Sequence, residues 1–279
     1  MSTNAEDVKD KEVSTDISHL NFLRRRILEI IARAGRGHLG PALSILEIVD
    51  VLYGSVMRNV GDIGQISRDR FILSKGHGCL ALYVVLEKYG LIGSEKLETF
   101  GSFNSAFGGH PENLKLPAIE FSTGALGHGP SLAVGLAVGA KLLKNKSRIY
   151  VLVGDGELNE GSIWEAAAHA HKHKLNNLCV IVDKNGMQAY GDLEEVLDMA
   201  PLRGKWESFG FVVREVDGHN TSELKEVLDF QEIDSGAPLV IIANTIKGKG
   251  VREAESSPNW HHKARISVEE SERLIAGLI

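Results

Sequence analysis

Residues 148–161 read RIYVLVGDGELNEG, and the carboxylate of Asp155 stands between two glycines at the end of an apolar run. A run of that length, rich in β-branched residues and closed by glycine, is a buried strand, so Asp155 marks the strand's end. The flanking glycines let a bulky anion approach the backbone, and the N-terminus of the following helix favours negative charge; both suit phosphate. A carboxylate beside phosphate is repelled unless a cation lies between them, and Mg²⁺ or Ca²⁺ with oxygen ligands is the natural bridge. The second ligand then belongs after a neighbouring strand. Asn176 and Asn177 precede the next apolar run, LCVIVD, whereas Asn185 in DKNGMQ follows it. Only Asn185 emerges on the ligand side of a parallel sheet.

The histidines form a second pattern. Five of the eleven directly follow glycine: His38, His77, His110, His128 and His219. Glycine before histidine puts the imidazole on a loop or turn, where it can face a ligand, move protons near neutral pH and donate to oxyanions. One such residue is commonly a surface loop histidine; five together point to a site. His169, His171 and His173 instead fall on a predicted helix, and although His169 and His173 have zinc-ligand spacing, no third ligand is evident. Late in the chain NTIKGKG (244–250) follows another strand, and its two lysines spaced by glycines suit a diphosphate. NWHHKA (259–264) comes shortly after.

The elements that must position these residues follow from apolar periodicity. Residues 1–16 are polar, charged and aperiodic, which predicts a mobile tail, and the fold starts near Asp16. Helical spacing runs from there to Ala34, and a second amphipathic helix from about Ser44 to Met57. Apolar runs at about 70–73, 148–153, 178–183, 211–216 and 238–244 then alternate with helical stretches at about 78–89, 129–144, 160–174, 221–230 and 267–277. Strand and helix in alternation predict an α/β fold, a doubly wound parallel sheet with helices on both faces, and one domain over 17–279.

Bulk properties narrow the function classes. A formal net charge of −6 without a basic stripe argues against nucleic acid as the main partner. Arg24, Arg25 and Arg26 cluster, and a helix surface accounts for them. The two cysteines, Cys79 and Cys179, lie in apolar stretches and suggest no disulfide framework. No signal-peptide core or membrane span is apparent, so the expected location is the cytoplasm.

In this order, GRGHLG, LSKGHGCLALY, GGHPE, STGALGHG, GDGELNEG, DKNGMQ, VDGHN and KGKG…WHHKA resemble the N-terminal, diphosphate-binding half of transketolase, a thiamine diphosphate enzyme, from about residue 17 onward. The resemblance implies that Asp155, Asn185 and the backbone carbonyl of Met187 bind Mg²⁺, with Ca²⁺ or Mn²⁺ as substitutes. It implies that Lys75, His77, Gly124, Leu126, Gly156, Asn185, Lys247 and His261 surround the cofactor. His110 would contact the donor's ketol hydroxyls, and His38 with His261 would handle protons at the acceptor's carbonyl. Glu160, counted among the cofactor-binding residues, would join Glu165 in an acidic network linking paired active sites. Departures from the family pattern are Leu39, Pro41, His128 and Tyr190, and they bear on substrate choice.

A full transketolase continues into a pyrimidine-binding and a C-terminal domain. The resemblance therefore implies a split enzyme that is inactive without a C-terminal partner subunit. Two copies of each chain would make a heterotetramer. It would move a two-carbon ketol unit between sugars or sugar phosphates, in carbohydrate metabolism of the pentose phosphate type. Other expectations are a different thiamine diphosphate transferase, such as a deoxyxylulose-phosphate synthase-like enzyme or a specialised ketolase, and a non-catalytic cofactor-binding paralogue. A nicotinamide site is weaker, because GDGELNEG lacks the spaced glycine fingerprint. The helix SLAVGLAVGAKLL places Gly135 and Gly139 four apart, leaving one face nearly without side chains for close approach of a partner.

Overall fold

The computed structural model describes residues 17–189, 191–230, 236–263 and 265–279; the expected tail over 1–16 and Tyr190 lie outside them. The chain opens with helices α1 (Ile17–Ala34), α2 (Leu39–Leu43) and α3 (Leu46–Val51), followed by strand β1 (Arg70–Leu73), α4 (Cys79–Lys88) and α5 (Ser94–Leu97). Next come α6 (Gly129–Leu142), β2 (Ile149–Gly154), α7 (Gly161–Lys172), β3 (Leu178–Lys184), α8 (Leu193–Leu197) and α9 (Leu202–Ser208). The last elements are β4 (Val212–Asp217), α10 (Thr221–Leu228), β5 (Leu239–Asn244) and α11 (Val268–Ala276).

The five strands form one parallel sheet in the order β1-β2-β3-β5-β4. Both of its faces are covered, because successive side chains alternate and both sets are apolar. On β2, Tyr150 and Leu152 enter the core built with α1, α3, α4 and α10, whereas Ile149, Val151 and Val153 enter the core built with α6, α7 and α9. Every residue of β2 is buried. Against the second face α6 presents Ala133, Ala137 and Ala140, small enough for close approach to the sheet. A Cβ built on Gly135 or Gly139 meets nothing within 4 Å, so the glycine stripe turns away from the sheet. Among the described residues, no helix is long and apolar enough to cross a membrane.

Three local features add to or change the sequence reading. The helix expected over 44–57 is present as α3, which runs into a π-helical turn over Leu52–Val56, and a short helix that the sequence did not reveal, α2, precedes it, separated by Ile45 at φ −117° and ψ 5°. The break aims buried Ser44 at the sheet, where its hydroxyl donates to Asp183 Oδ1 at 2.7 Å. The helix expected over 160–174 is α7, and a 3₁₀ turn over Gly156–Asn159 that the sequence did not reveal leads into it. Arg24 is not a surface residue. It is 4% exposed, ion-paired with Glu47 and bonded to the Lys249 carbonyl, and the buried carboxylate is what holds the guanidinium inside the fold.

Candidate active site

The ends of the parallel strands gather the chemistry. Lys75 comes two residues after β1, Asp155 directly after β2, Asn185 directly after β3 and Lys247 three residues after β5. They border one cleft of about 280 Å³. The same cleft is lined by Gly124, Leu126, Gly156 and Met187, and by four histidines, His38, His77, His110 and His261. The structure thus brings together the residues that the resemblance implies for cofactor, metal and substrate except Glu160, whereas two of the five Gly-His histidines, His128 and His219, stay outside the lining. The Glu160 side chain is exposed, beside Gly127 and outside the lining, and Glu165 is exposed one turn further along α7.

Asp155 is 1% exposed and ties two loops together. Its Oδ1 accepts from the Gly156 N–H at 2.8 Å and its Oδ2 from the Gly186 N–H at 2.6 Å, so the Asp155 and Asn185 loops share one carboxylate. Burial, then the negative charge of Asp183, pushes the Asp155 carboxyl up to about 6 against those two hydrogen bonds. Asn185 donates to Asp183 Oδ2 at 2.9 Å, and its Oδ1 accepts from the Met187 N–H at 3.0 Å.

Beneath these loops lies a buried ion pair that sequence reading missed. Lys75 Nζ, 2% exposed, pairs with fully buried Asp183, which also accepts from Ser44 and Thr245. Burial alone raises a carboxyl, but the Lys75 charge and these hydrogen bonds outweigh it and hold Asp183 below the usual carboxylate range. A signal was present: Asp183 closes LCVIVD as Asp155 follows VLVG, and the register pairs Gly154 with Asp183. Glu157 was also missed. It is 2% exposed and accepts from Ser74, from Gly127 N at 2.8 Å and from Gly154 N at 3.1 Å, joining three cleft segments.

The histidines divide. His38 has its ring centroid 5.7 Å from His77, 5.8 Å from His110 and 5.7 Å from His261, and His77 lies 5.3 Å from His261. Burial lowers all four, helped at His38 and His261 by neighbouring imidazoles and lysines, to about 4 for His38 and about 3 for His261. All four are neutral imidazoles at neutral pH, able to donate at one nitrogen and accept at the other. His128 is exposed outside the cleft. His219 is structural: its Nε2 accepts from the Ile246 N–H at 2.8 Å, so Nδ1 carries the proton and donates to Glu47 at 3.1 Å. His169 and His173 stack on α7, and among the described residues no group of three His, Cys, Asp or Glu could hold a metal. Of the departures from the family pattern, Leu39 is buried and Pro41 lines the cleft, its carbonyl accepting from Lys75 at 3.4 Å.

The cleft fits an anionic group carried on a divalent cation. Its donor set at the sheet end is a carboxylate, an amide oxygen and a backbone carbonyl, the hard oxygens such cations take. His261 Nδ1 and Gln188 Nε2 are buried in the lining without hydrogen-bond partners among the described residues, two polar atoms that a ligand would satisfy. Gly124, at φ +139°, takes a backbone conformation other residues resist, and a Cβ there would sit 3.0 Å from the His110 ring. A Cβ on Gly156 would sit 2.8 Å from Gln188 Cγ, so a side chain there would crowd the lining beside Gln188.

Lys247 gives a pH test. Burial, then repulsion by Lys75, pushes its ammonium down to about 8. An anion requires the charged form, so affinity for inorganic diphosphate is full below about pH 8. Above it, affinity falls by up to about tenfold per pH unit until the bound-state value is reached. Calorimetric titrations across this range check it; Lys247→Met is expected to bind more weakly and without the decline.

An open parallel sheet with glycine loops, paired lysines and oxygen donors at its carboxyl end defines a module that binds a diphosphate-bearing cofactor. The family model described as the transketolase thiamine diphosphate binding domain matches residues 15–274, and the chain belongs to that family. It is 43% identical over 242 residues to one of the subunits of apulose-4-phosphate transketolase from Phocaeicola vulgatus, covering 86% of this chain and 85% of that protein. To the 6-deoxy-6-sulfo-D-fructose transketolase subunit of Clostridium sp. strain MSTE9 it is 38% identical over 253 residues, covering 90% and 92%. Transketolase from Leishmania mexicana superposes with a TM-score of 0.84 at 28% identity, over 94% of this chain and 41% of that one. The chain thus spans about two-fifths of the full-length transketolase structures it matches.

Proposed function

We propose that this chain is the cofactor-binding subunit of a two-subunit transketolase, moving a two-carbon ketol unit from a ketose to an aldose. The observation that carries the reading is the set of four neutral imidazoles beside a cation-type oxygen set in one cleft. Asp155, Asn185 and the Met187 carbonyl would hold Mg²⁺, for which Ca²⁺ or Mn²⁺ would substitute, and Lys247 would meet the diphosphate beside Gly156. Bound thiamine diphosphate supplies the carbon nucleophile that carries the two-carbon unit. His110 hydrogen-bonds the ketol hydroxyls, and His38 and His261 hold or move a proton at the acceptor's carbonyl oxygen. The two relatives named for sugars act on substrates with a phosphate or sulfonate, and we take a sugar of that anionic kind as the substrate class here. Two free, buried cysteines suit a cytoplasmic protein.

The partner would supply the pyrimidine-binding surface and dock on α6 and α7, giving two copies of each subunit. Gly135 and Gly139 offer an open face there, with Glu160 and Glu165 exposed alongside. The chain alone is expected to show no ketol transfer, and turnover appears on adding the partner. Gly135→Leu adds a side chain where there is space, so the fold holds while assembly weakens at least about tenfold. Light scattering after size exclusion, with a ketol-transfer assay on the same fractions, checks both. Turnover by the purified chain alone, or wild-type assembly of the variant, contradicts this arrangement.

A further inference from the structure

His262 lies outside the cleft lining and is exposed, yet its position is tightly defined. Gly37 and Lys263 exchange both backbone hydrogen bonds, at 3.0 and 2.9 Å, as an isolated antiparallel bridge. Beside such a pair the next two residues face each other without hydrogen bonds and with their side chains close. Those residues are His38 and His262, and their rings meet T-shaped with centroids 4.6 Å apart. The segment is anchored on both sides: Lys263 Nζ lies 4.0 Å from the Trp260 ring centroid and 3.0 Å from Glu270, and the Trp260 carbonyl packs against Gly40.

His262 is therefore a fixed group on the solvent side of His38, and it forms no hydrogen bond or ion pair among the described residues. Arg36 and Arg265, on the same two segments, are exposed and also lack ion-pair partners among the described residues. A sugar whose reacting carbons lie among His38, His110 and His261 has further carbons to accommodate, and His262 is an exposed side chain in ring contact with His38. Imidazole N–H groups with guanidinium groups nearby recognise an oxyanion.

We propose, resting on the reading of the cleft given above, that His262 is a specificity-determining residue that binds the terminal oxyanion, phosphate or sulfonate, of the sugar substrate. Its contribution is to binding of the anionic end and not to the reacting carbons.

The test uses the reconstituted complex with His262→Ala and His262→Gln, assayed on a phosphorylated aldose, a sulfonated analogue and the same aldose without the anion. KM for both anionic acceptors is expected to rise about five- to tenfold with kcat within about twofold, and the neutral aldose to be unaffected. Equal changes for anionic and neutral acceptors, or a fall in kcat for all, overturn the proposal. A second arm needs no turnover: in the full chain labelled at histidine nitrogens, inorganic phosphate should shift the His262 imidazole resonances saturably. Phosphate that moves His77 and His261 but leaves His262 unchanged also overturns it. A reconstituted complex without ketol transfer on any donor refutes the proposed function instead, and the phosphate titration still decides the role of His262.

Discussion

Asp155→Asn lowers Mg²⁺-dependent affinity for thiamine diphosphate by at least about 100-fold while leaving the fold in place, and Asp155→Ala loses both the affinity and stability. The two variants separate two duties of one side chain. Asparagine keeps the shape and one acceptor oxygen but loses the charge and turns its NH2 toward the other N–H, so it gives up one of the two hydrogen bonds as well. Alanine loses both hydrogen bonds, which tie the Asp155 and Asn185 loops together, and leaves a gap at a buried position. Asn176→Ala, altered at the opposite end of β3 from Asn185, should change affinity little. Titration calorimetry of the reconstituted complex, with and without Mg²⁺, checks all three. An Asp155→Asn protein with wild-type Mg²⁺ dependence would remove the cation from this site.

Lys75→Met should destabilise the chain by about 3–5 kcal/mol, because it leaves the Asp183 carboxylate buried without its cation. Ser44, Thr245 and Asn185 still donate to that carboxylate but carry no charge. Adding Asp183→Asn in the same chain removes the stranded charge and should recover about half of the loss or more, a coupling that a double-mutant cycle reads directly. The recovered protein should nevertheless bind cofactor weakly, since Lys75 also borders the cleft. Denaturant unfolding measures the first effect and cofactor titration the second. A single-variant loss below about 1 kcal/mol would mean that water or a rearrangement reaches Asp183, contrary to its complete burial.

Strands β1, β2, β3 and β5 were legible because each is a short apolar run buried along nearly its whole length, which needs no knowledge of its neighbours. Their carboxyl ends were legible for the same reason, and so Asp155 and Asn185 were found from grammar alone. The Gly-His pattern was only partly informative. It picked out His38, His77 and His110, but also His128, which is exposed, and His219, whose two nitrogens are satisfied by Ile246 and Glu47. Spacing cannot say which loop histidine meets a partner. Asp183 and Glu157 escaped for a related reason, since a carboxylate within or beside an apolar run signals a site only when its distant donors are known. The short helices α2, α5, α8 and α9 have too few turns to establish a period, and the break between α2 and α3 coincides with a tertiary contact from Ser44 to β3 that no local pattern announces.

The packing of the first described helix against the last has a kinetic meaning. Ser271 on α11 donates to the Leu28 carbonyl on α1, 243 positions away, and Arg24 reaches the Lys249 carbonyl across 225. His38 follows shortly after α1, whereas His261 and His262 precede α11, so the histidine ring closes only when these remote segments meet. Contacts of such sequence separation pay their loop-closure entropy late, after the sheet that templates them has formed. During synthesis the loops bearing Asp155 and Asn185 can therefore take shape before the histidine cluster exists. In the finished protein, hydrogen exchange at Gly37 and Lys263 should report a partial opening that dismantles the histidines while β2 and β3 remain protected.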